Sequence, residues 1–218
     1  MLVIFDIDGT ICDTQEIEGR CFISAVKDII GVSLKSADWT TFSEPTSMGI
    51  TRELLEDIPG RSHKSQQIKN RFIELLEQEQ PQFPGDFTPL QGAKKFIQYL
   101  VNSPNHSVAF ATGGFDTEAE FKLRCCGFSI ADFPHATSSD TPARKDIIAL
   151  AAERAGIALD STVYFGDATW DLAVSRELGI PFVGIGRKIT KLQELGAQSA
   201  FRDFSAPEAI LAHLSNLK

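Results

Sequence analysis

The chain has 218 residues, 43% of them apolar, enough for one large domain or a domain with a smaller insertion. Its net charge of -8 and lack of Lys/Arg runs argue against nucleic acid or an anionic membrane as a partner. We expect a cytoplasmic protein, because the chain has neither an apolar run of about 20 residues nor a signal-peptide pattern. Its cysteines and histidines lack the spacing of a zinc, redox or triad site.

The chain opens with the apolar run Leu2–Phe5, which leads directly into Asp6, Asp8, Gly9 and Thr10. This pattern predicts a buried parallel strand that delivers two carboxylates to its carboxyl end. In open parallel sheets, ligands bind at that end of the strands. The alternative for this stretch alone is an ordinary strand followed by an Asp-Gly turn.

Residues 13–88 show helical periodicity and no convincing strand. Helices are predicted near 14–29, 50–58 and 64–79, and the proline-rich stretch 81–89 is typical of a linker. We therefore predict a small α-helical insertion, a domain of its own, over 13–88. It would be inserted into a domain formed by residues 1–12 and 89–218.

From residue 90 onward, helical and strand patterns alternate. Such alternation predicts right-handed crossovers and a doubly wound parallel sheet, the α/β fold class, with helices on both faces. Strands are predicted over 107–111, 134–136, 162–165 and 182–185. Helices are predicted over 90–101, 116–126, 143–155, 169–178 and near 207–217.

Polar side chains follow two of these later strands. Thr112 and Gly113 lead into a helix whose free N–H groups could receive a phosphate oxygen, although any strand-to-helix loop could contain such residues. Asp167 follows strand 162–165, and Asp171 lies one helical turn further on. Asp167 by itself could be only a helix N-cap.

Together with the first pair, Asp167 and Asp171 would place four acids in one crevice. Like charges so placed repel each other unless a cation neutralises them. Oxygen ligands without histidine or thiolate favour Mg²⁺. The sequence therefore predicts a magnesium site.

Lys145 lies near the start of the helix predicted over 143–155. A cation there is disfavoured by the helix dipole, so a nearby anion would explain its position. Arg144 is a rival for the same role, and a solvated surface lysine is the plain alternative.

The order of these residues resembles the four motifs of the haloacid dehalogenase superfamily of phosphohydrolases. The motifs are Asp6-x-Asp8-Gly9-Thr10, then Thr112, then Lys145, then Gly166-Asp167-x-x-x-Asp171. The resemblance covers nearly the whole chain, including a helical cap directly after the first motif. It is closest to the subgroup of phosphoglycolate phosphatases and β-phosphoglucomutases.

The resemblance implies a role for each residue. Asp6 would be the nucleophile that forms an aspartyl phosphate, and Asp8 the general acid and base. Mg²⁺ would be held by Asp6, by the backbone carbonyl of Asp8, and by Asp167. Asp171 would hold a metal-bound water or the lysine.

The remaining implied roles concern the phosphoryl group and the substrate. Thr112 and the Gly113 N–H would bind the phosphoryl oxygens, and Lys145 would neutralise both nucleophile and phosphate. Arg52, in a stretch that resembles the mutase cap, is a candidate substrate-binding residue.

The resemblance also separates the possible activities. Asp8 disfavours the dehalogenases and phosphonatases of the superfamily, which lack a second acid in the first motif. Mutases carry a histidine about ten residues past that acid, where this chain has Glu18. The expectation is a Mg²⁺-dependent phosphatase of a small phosphorylated metabolite, working as a monomer or homodimer. A phosphomutase and a non-catalytic binding or regulatory protein are the alternatives.

Overall fold

The computed structural model describes residues 1–217 and is built around a six-stranded parallel sheet. Its strands are β1 (Leu2–Phe5), β2 (Ser107–Thr112), β3 (His135–Thr137), β4 (Thr162–Gly166), β5 (Phe182–Ile185) and β6 (Ser199–Phe201). The order across the sheet is β3-β2-β1-β4-β5-β6. The predicted α/β fold with a doubly wound parallel sheet is confirmed. Strand β6 was not predicted, since its three residues are too few to show a period.

Nine α-helices occur in the described part of the chain. Three follow β1, namely α1 (Gln15–Ile30), α2 (Ser47–Leu54) and α3 (Arg61–Glu79). The others alternate with the later strands: α4 (Ala93–Val101), α5 (Asp116–Cys125), α6 (Arg144–Ala155), α7 (Thr169–Leu178), α8 (Ile189–Glu194) and α9 (Pro207–Ser215). Helix α4 begins three residues later than predicted because Gly92 precedes it with a left-handed φ of 82°. Among residues 1–217, no helix has the length and apolar character needed to cross a membrane.

Strand β1 is buried on both faces. Val3 and Phe5 pack into an apolar cluster with α4 and α9, whereas Leu2 and Ile4 pack into a second cluster with α6 and α7. This division follows from the alternation of side chains along a strand. The Phe5 ring also lies 4.9 Å from the ring of Phe165 on β4. The turn that follows β1 is therefore anchored on a rigid strand.

The helices between residues 13 and 88 form a third apolar cluster, and that range contains no strand. Phe22 of α1 and Phe72 of α3 meet edge to face at 5.4 Å, and Phe115 and Phe121 from the later chain join the same cluster. The N-terminus of α2 contacts the loops at the sheet edge, where the backbone N–H of Ser47 donates to the Gly113 carbonyl at 2.7 Å. The division at residues 12/13 and 88/89 into cap and core domains stays a prediction.

Candidate active site

The three central strands bring polar groups to one edge of the sheet. Asp6 follows β1, Thr112 ends β2, and Asp167 follows β4. Because β1 pairs with both β2 and β4, these residues line one cavity of about 150 Å³, together with Asp8 and Gly113. The convergence expected from the sequence is therefore present for these five residues.

Three buried carboxylates lie together at this edge. Asp6, Asp167 and Asp171 each offer an oxygen, and the three oxygens lie within 4.8 Å of one another. Burial and the neighbouring Asp171 raise the pKa of Asp6, and burial raises the pKa of Asp167 to about 6. The three carboxylates repel one another when ionised, and a divalent cation would relieve this repulsion. Because all the donor atoms are oxygens, the set fits a hard metal such as Mg²⁺.

A buried arginine already compensates part of this charge. Arg144 Nη1 lies 3.0 Å from Asp171 Oδ1 and 3.4 Å from Asp6 Oδ1, and it donates to the Tyr164 hydroxyl at 3.3 Å. Burial alone would lower the pKa of Arg144, but Asp171, Tyr164 and Asp6 raise it above its ordinary value. Asp171 also accepts a hydrogen bond from the backbone N–H of Ala168. Through these contacts Asp171 fixes the position of the Arg144 side chain and of the first turn of α7.

Lys145 does not reach the carboxylates, so its predicted position is wrong. Its side chain is 49% exposed and pairs with Glu177 at 2.6 Å on the protein surface. Consecutive residues of an α-helix point about 100° apart, so only one of the first two residues of α6 can face the cavity. That residue is Arg144, the rival considered for the third motif. Gly113 leaves room for it, because a Cβ at position 113 would collide with its guanidinium.

Arg52 is also not brought to the cavity. It is exposed on α2, whose buried face is formed by Ser47, Gly49, Ile50 and Thr51. Arg52 is not among the residues that line the cavity. The predicted contact between Arg52 and a substrate in this cavity is not supported by its position.

A second charged cluster surrounds Asp8 and was missed by the sequence analysis. Lys122 of α5 has no exposed side-chain surface, and its Nζ lies 2.7 Å from Asp8, 3.4 Å from Glu18 and 3.5 Å from Glu118. The Thr14 hydroxyl donates to the same Asp8 oxygen, Oδ1. Burial raises the pKa of Glu118 to about 7 and that of Glu18 well above its usual value. The ammonium of Lys122 thus occupies the position that a metal would need among these three acids.

Other residues around the cavity were also missed. Gln15 and Lys188 both donate to Asp167 Oδ2, with Lys188 at 3.2 Å. The Tyr164 hydroxyl was the easiest of the missed groups to find, because a tyrosine inside an apolar strand needs a hydrogen-bond partner. The Glu118–Lys122 pair gave no such signal, since a spacing of four residues is equally common on exposed helices.

Comparison with known proteins shows the family of this chain and the structures that share its fold. The sequence profile described as haloacid dehalogenase-like hydrolase matches residues 3–185. The chain belongs to this family. Among curated proteins, none shows significant sequence similarity to this haloacid dehalogenase-like hydrolase.

Solved structures share the fold over nearly the whole chain. A hydrolase from Pseudomonas syringae is 23% identical, with a TM-score of 0.74 and coverage of 98% of this chain and 97% of the other. CbbY from Rhodobacter sphaeroides, in complex with phosphate, is 18% identical, with a TM-score of 0.75 and coverage of 94% and 95%. β-Phosphoglucomutase from Clostridium difficile is 15% identical, with a TM-score of 0.71 and coverage of 99% and 97%. At these identities, the likeness establishes the fold of this haloacid dehalogenase-like hydrolase.

Replacing Lys122 with methionine should strongly destabilise the protein. The change leaves buried Glu118 and half-buried Asp8 and Glu18 without their cation, and breaking a buried ion pair costs about 3–5 kcal/mol. Lys191→Met is the matched control, because Lys191 is 60% exposed and pairs with exposed Glu194. The control should cost less than about 1 kcal/mol. Chemical denaturation measures both free energies of unfolding, and equal values for the two variants would contradict the assigned role of Lys122.

Magnesium should stabilise the protein more at about pH 7.5 than at about pH 5.5, because protons and metal compete for the same carboxylates. The pKa of Asp167 is raised from 3.8 to about 6 in the folded state. Without metal, this group therefore contributes stability at low pH that is lost as the pH rises through about 6. Thermal unfolding with and without Mg²⁺ measures the difference.

The Asp167→Asn variant should lose most of the magnesium effect, whereas Asp160→Asn, at an exposed position, should keep it. A wild-type response to Mg²⁺ in the Asp167→Asn variant would show that the metal binds elsewhere.

Proposed function

We propose that this protein is a Mg²⁺-dependent phosphatase that hydrolyses small phosphate monoesters through an aspartyl phosphate on Asp6. The observation that carries this proposal is the arrangement of Asp6, Asp8, Thr112, Arg144 and Asp167 around one small cavity. Membership of the hydrolase family supports it, as does the phosphate bound in the Rhodobacter neighbour.

In the first step, a carboxylate oxygen of Asp6 attacks phosphorus and the bond from phosphorus to the leaving oxygen breaks. Asp8 donates a proton to that oxygen. In the second step, Asp8 takes a proton from a water molecule that attacks the aspartyl phosphate, which releases inorganic phosphate and restores Asp6. Asp6 and Asp167 would hold Mg²⁺, which would supply positive charge that reduces the repulsion between the anionic nucleophile and the anionic ester.

The contacts around Asp8 suit this role. Thr14 and Lys122 both bind its Oδ1 atom, which fixes the carboxyl group and leaves Oδ2 for the leaving oxygen. The chain also offers donors for the phosphoryl oxygens in the Thr112 hydroxyl, the Gly113 N–H and Arg144. The Nε atom of Arg144 is buried and has no hydrogen-bond partner among the described residues. In this proposal, Arg144 and not Lys145 neutralises the nucleophile and the phosphate.

The two alternatives receive less support. A mutase must hold the second phosphate of a bisphosphorylated sugar, and Arg52, the candidate for that contact, is exposed and outside the cavity. Glu18, which stands where mutases carry a histidine, is held by Lys122. A non-catalytic protein would have no need to keep Asp6, Asp167 and Asp171 buried together at such electrostatic cost.

The Asp6→Asn variant should lose phosphate release by at least about 10³-fold, as expected when a nucleophile is removed. A colorimetric screen of phosphate monoesters with and without Mg²⁺ measures the activity, and Asp160→Asn is the matched control. Wild-type protein stopped with acid during turnover should carry phosphate that hydroxylamine removes, because acyl phosphates react with it. Substantial Mg²⁺-dependent turnover by Asp6→Asn would exclude the covalent route.

Arg144→Met should lower kcat by about 10²–10³-fold, because it removes a donor that stabilises the transferring phosphoryl group. Lys145→Met changes the neighbouring residue in the same way and should leave kcat within about twofold, because its exposed ion pair contributes little. Steady-state kinetics on the best substrate from the screen compare the two variants. A larger loss for Lys145→Met than for Arg144→Met would reverse the assignment.

A further inference from the structure

The cavity has two chemically different sides. One side is formed by the strand ends and carries the carboxylates and donors described above. The other, here called the helical wall, consists of the cavity-lining residues that come from positions 13–88. Its apolar members are Phe22, Ala37, Trp39, Pro45 and Ile50, and its polar members are Gln15, Glu18, Thr46 and Ser47.

The helical wall contains no cationic side chain. Among residues 1–217, the only cationic side chains that line the cavity are Arg144 and Lys188, and both come from the sheet side. Arg144 is held by Asp6 and Asp171, and Lys188 by Asp167. Their charges therefore belong to the end of the cavity that would hold the phosphoryl group.

Cations on the helices around the wall point elsewhere. Arg20 pairs with Glu79 at 3.6 Å and Arg71 pairs with Asp28 at 2.8 Å, both outside the cavity. Arg52 is exposed on α2 and also lies outside it. Residues 13–88 contain lysines and arginines, but none of them lines the cavity. The absence of positive charge from the wall therefore results from the orientation of these helices and not from their composition.

A ligand carboxylate or second phosphate against this wall would be unfavourable. It would lose water to aromatic and aliphatic side chains without gaining an ion pair. Glu18 adds to this, because it is negative when ionised and offers an anion no positive charge when protonated. Trp39, which meets Phe22 edge to face at 5.6 Å, offers a partly buried aromatic surface for an uncharged group.

We infer that the substrate is the phosphate monoester of an uncharged alcohol, and that the helical wall rejects leaving groups with a second anionic group. This inference rests on the proposed phosphatase function and deepens it. It disfavours phosphoglycolate and sugar bisphosphates as substrates and favours esters whose alcohol presents hydroxyl and apolar surface. The residues that determine this specificity are those of the wall, with Trp39, Phe22 and Glu18 foremost.

Two isosteric pairs of esters test the inference. The first pair is 2-phosphoglycolate and its amide, and the second is 4-carboxyphenyl phosphate and 4-carbamoylphenyl phosphate. Within each pair, size and shape are closely matched and the main difference is the charge of the leaving group. We expect kcat/KM to be at least about tenfold higher for the amide in every pair that is turned over, because like-charge and unpaired-charge contacts are costly.

A charge introduced into the wall should change this preference. Ala37 is an exposed loop residue that lines the cavity, so it can accept a longer side chain. Ala37→Lys should raise the ratio of acid to amide turnover by about tenfold over Ala37→Gln, which adds length without charge. Because the control and the test variant differ mainly in charge, a merely steric effect would appear in both.

The outcomes distinguish failure of the specificity inference from failure of the phosphatase function. Equal or faster turnover of the acid than of its amide in either pair would overturn the inference and leave the phosphatase function standing. An unchanged ratio in Ala37→Lys relative to Ala37→Gln would also overturn the assignment of specificity to the wall. Absence of phosphate release from all four esters and from the wider screen, with folded protein and Mg²⁺, would overturn the phosphatase function itself.

Discussion

The site depends on the pairing of buried carboxylates with two buried cations. Arg144 lies between Asp6 and Asp171, and Lys122 lies beside Asp8. A buried charge without a partner is strongly unfavourable, whereas a paired one is tolerated. Because Arg144 binds Asp6 and Lys122 binds Asp8, the proposed nucleophile and the proposed acid–base group lie in different electrostatic surroundings although they are only two residues apart. Two carboxyl groups with different tasks need such a difference.

The sheet supplies the rigidity that this pairing needs. Strand β1 is covered on both faces by apolar clusters, and its neighbours β2 and β4 end at the same edge. The positions of Asp6, Thr112 and Asp167 therefore follow from backbone pairing and not from flexible loops. Helix α5 connects this edge to the helical segment, since Lys122 contacts Asp8 while Phe121 joins the third apolar cluster.

In the proposed function, the two sides of the cavity recognise different parts of the substrate. The strand ends provide charge and hydrogen-bond donors, which suit any phosphoryl group. The helical wall provides aromatic and aliphatic surface together with Glu18, and it brings no positive charge. Of the wall residues, Gln15 contacts Asp167 and Glu18 contacts Lys122, so we expect changes at Ala37 or Trp39 to alter the choice of substrate with the least effect on the carboxylates.

The sequence by itself determined the parallel sheet, the placement of Asp6, Asp8, Thr112 and Asp167 at strand ends, and the family. The sheet and the strand-end positions follow from local patterns, because alternation and strand length are visible within short windows. The family follows from the order of the motifs along the whole chain. Only the tertiary structure decided between Arg144 and Lys145. Neighbouring residues of a helix point about 100° apart, so one of the two faces the cavity and the other faces the solvent. The tertiary structure alone also brought Lys122 to Asp8, because that contact joins residues 114 positions apart (122 − 8). The absence of positive charge from the helical wall has the same origin, as it depends on which faces α1 and α2 turn toward the cavity.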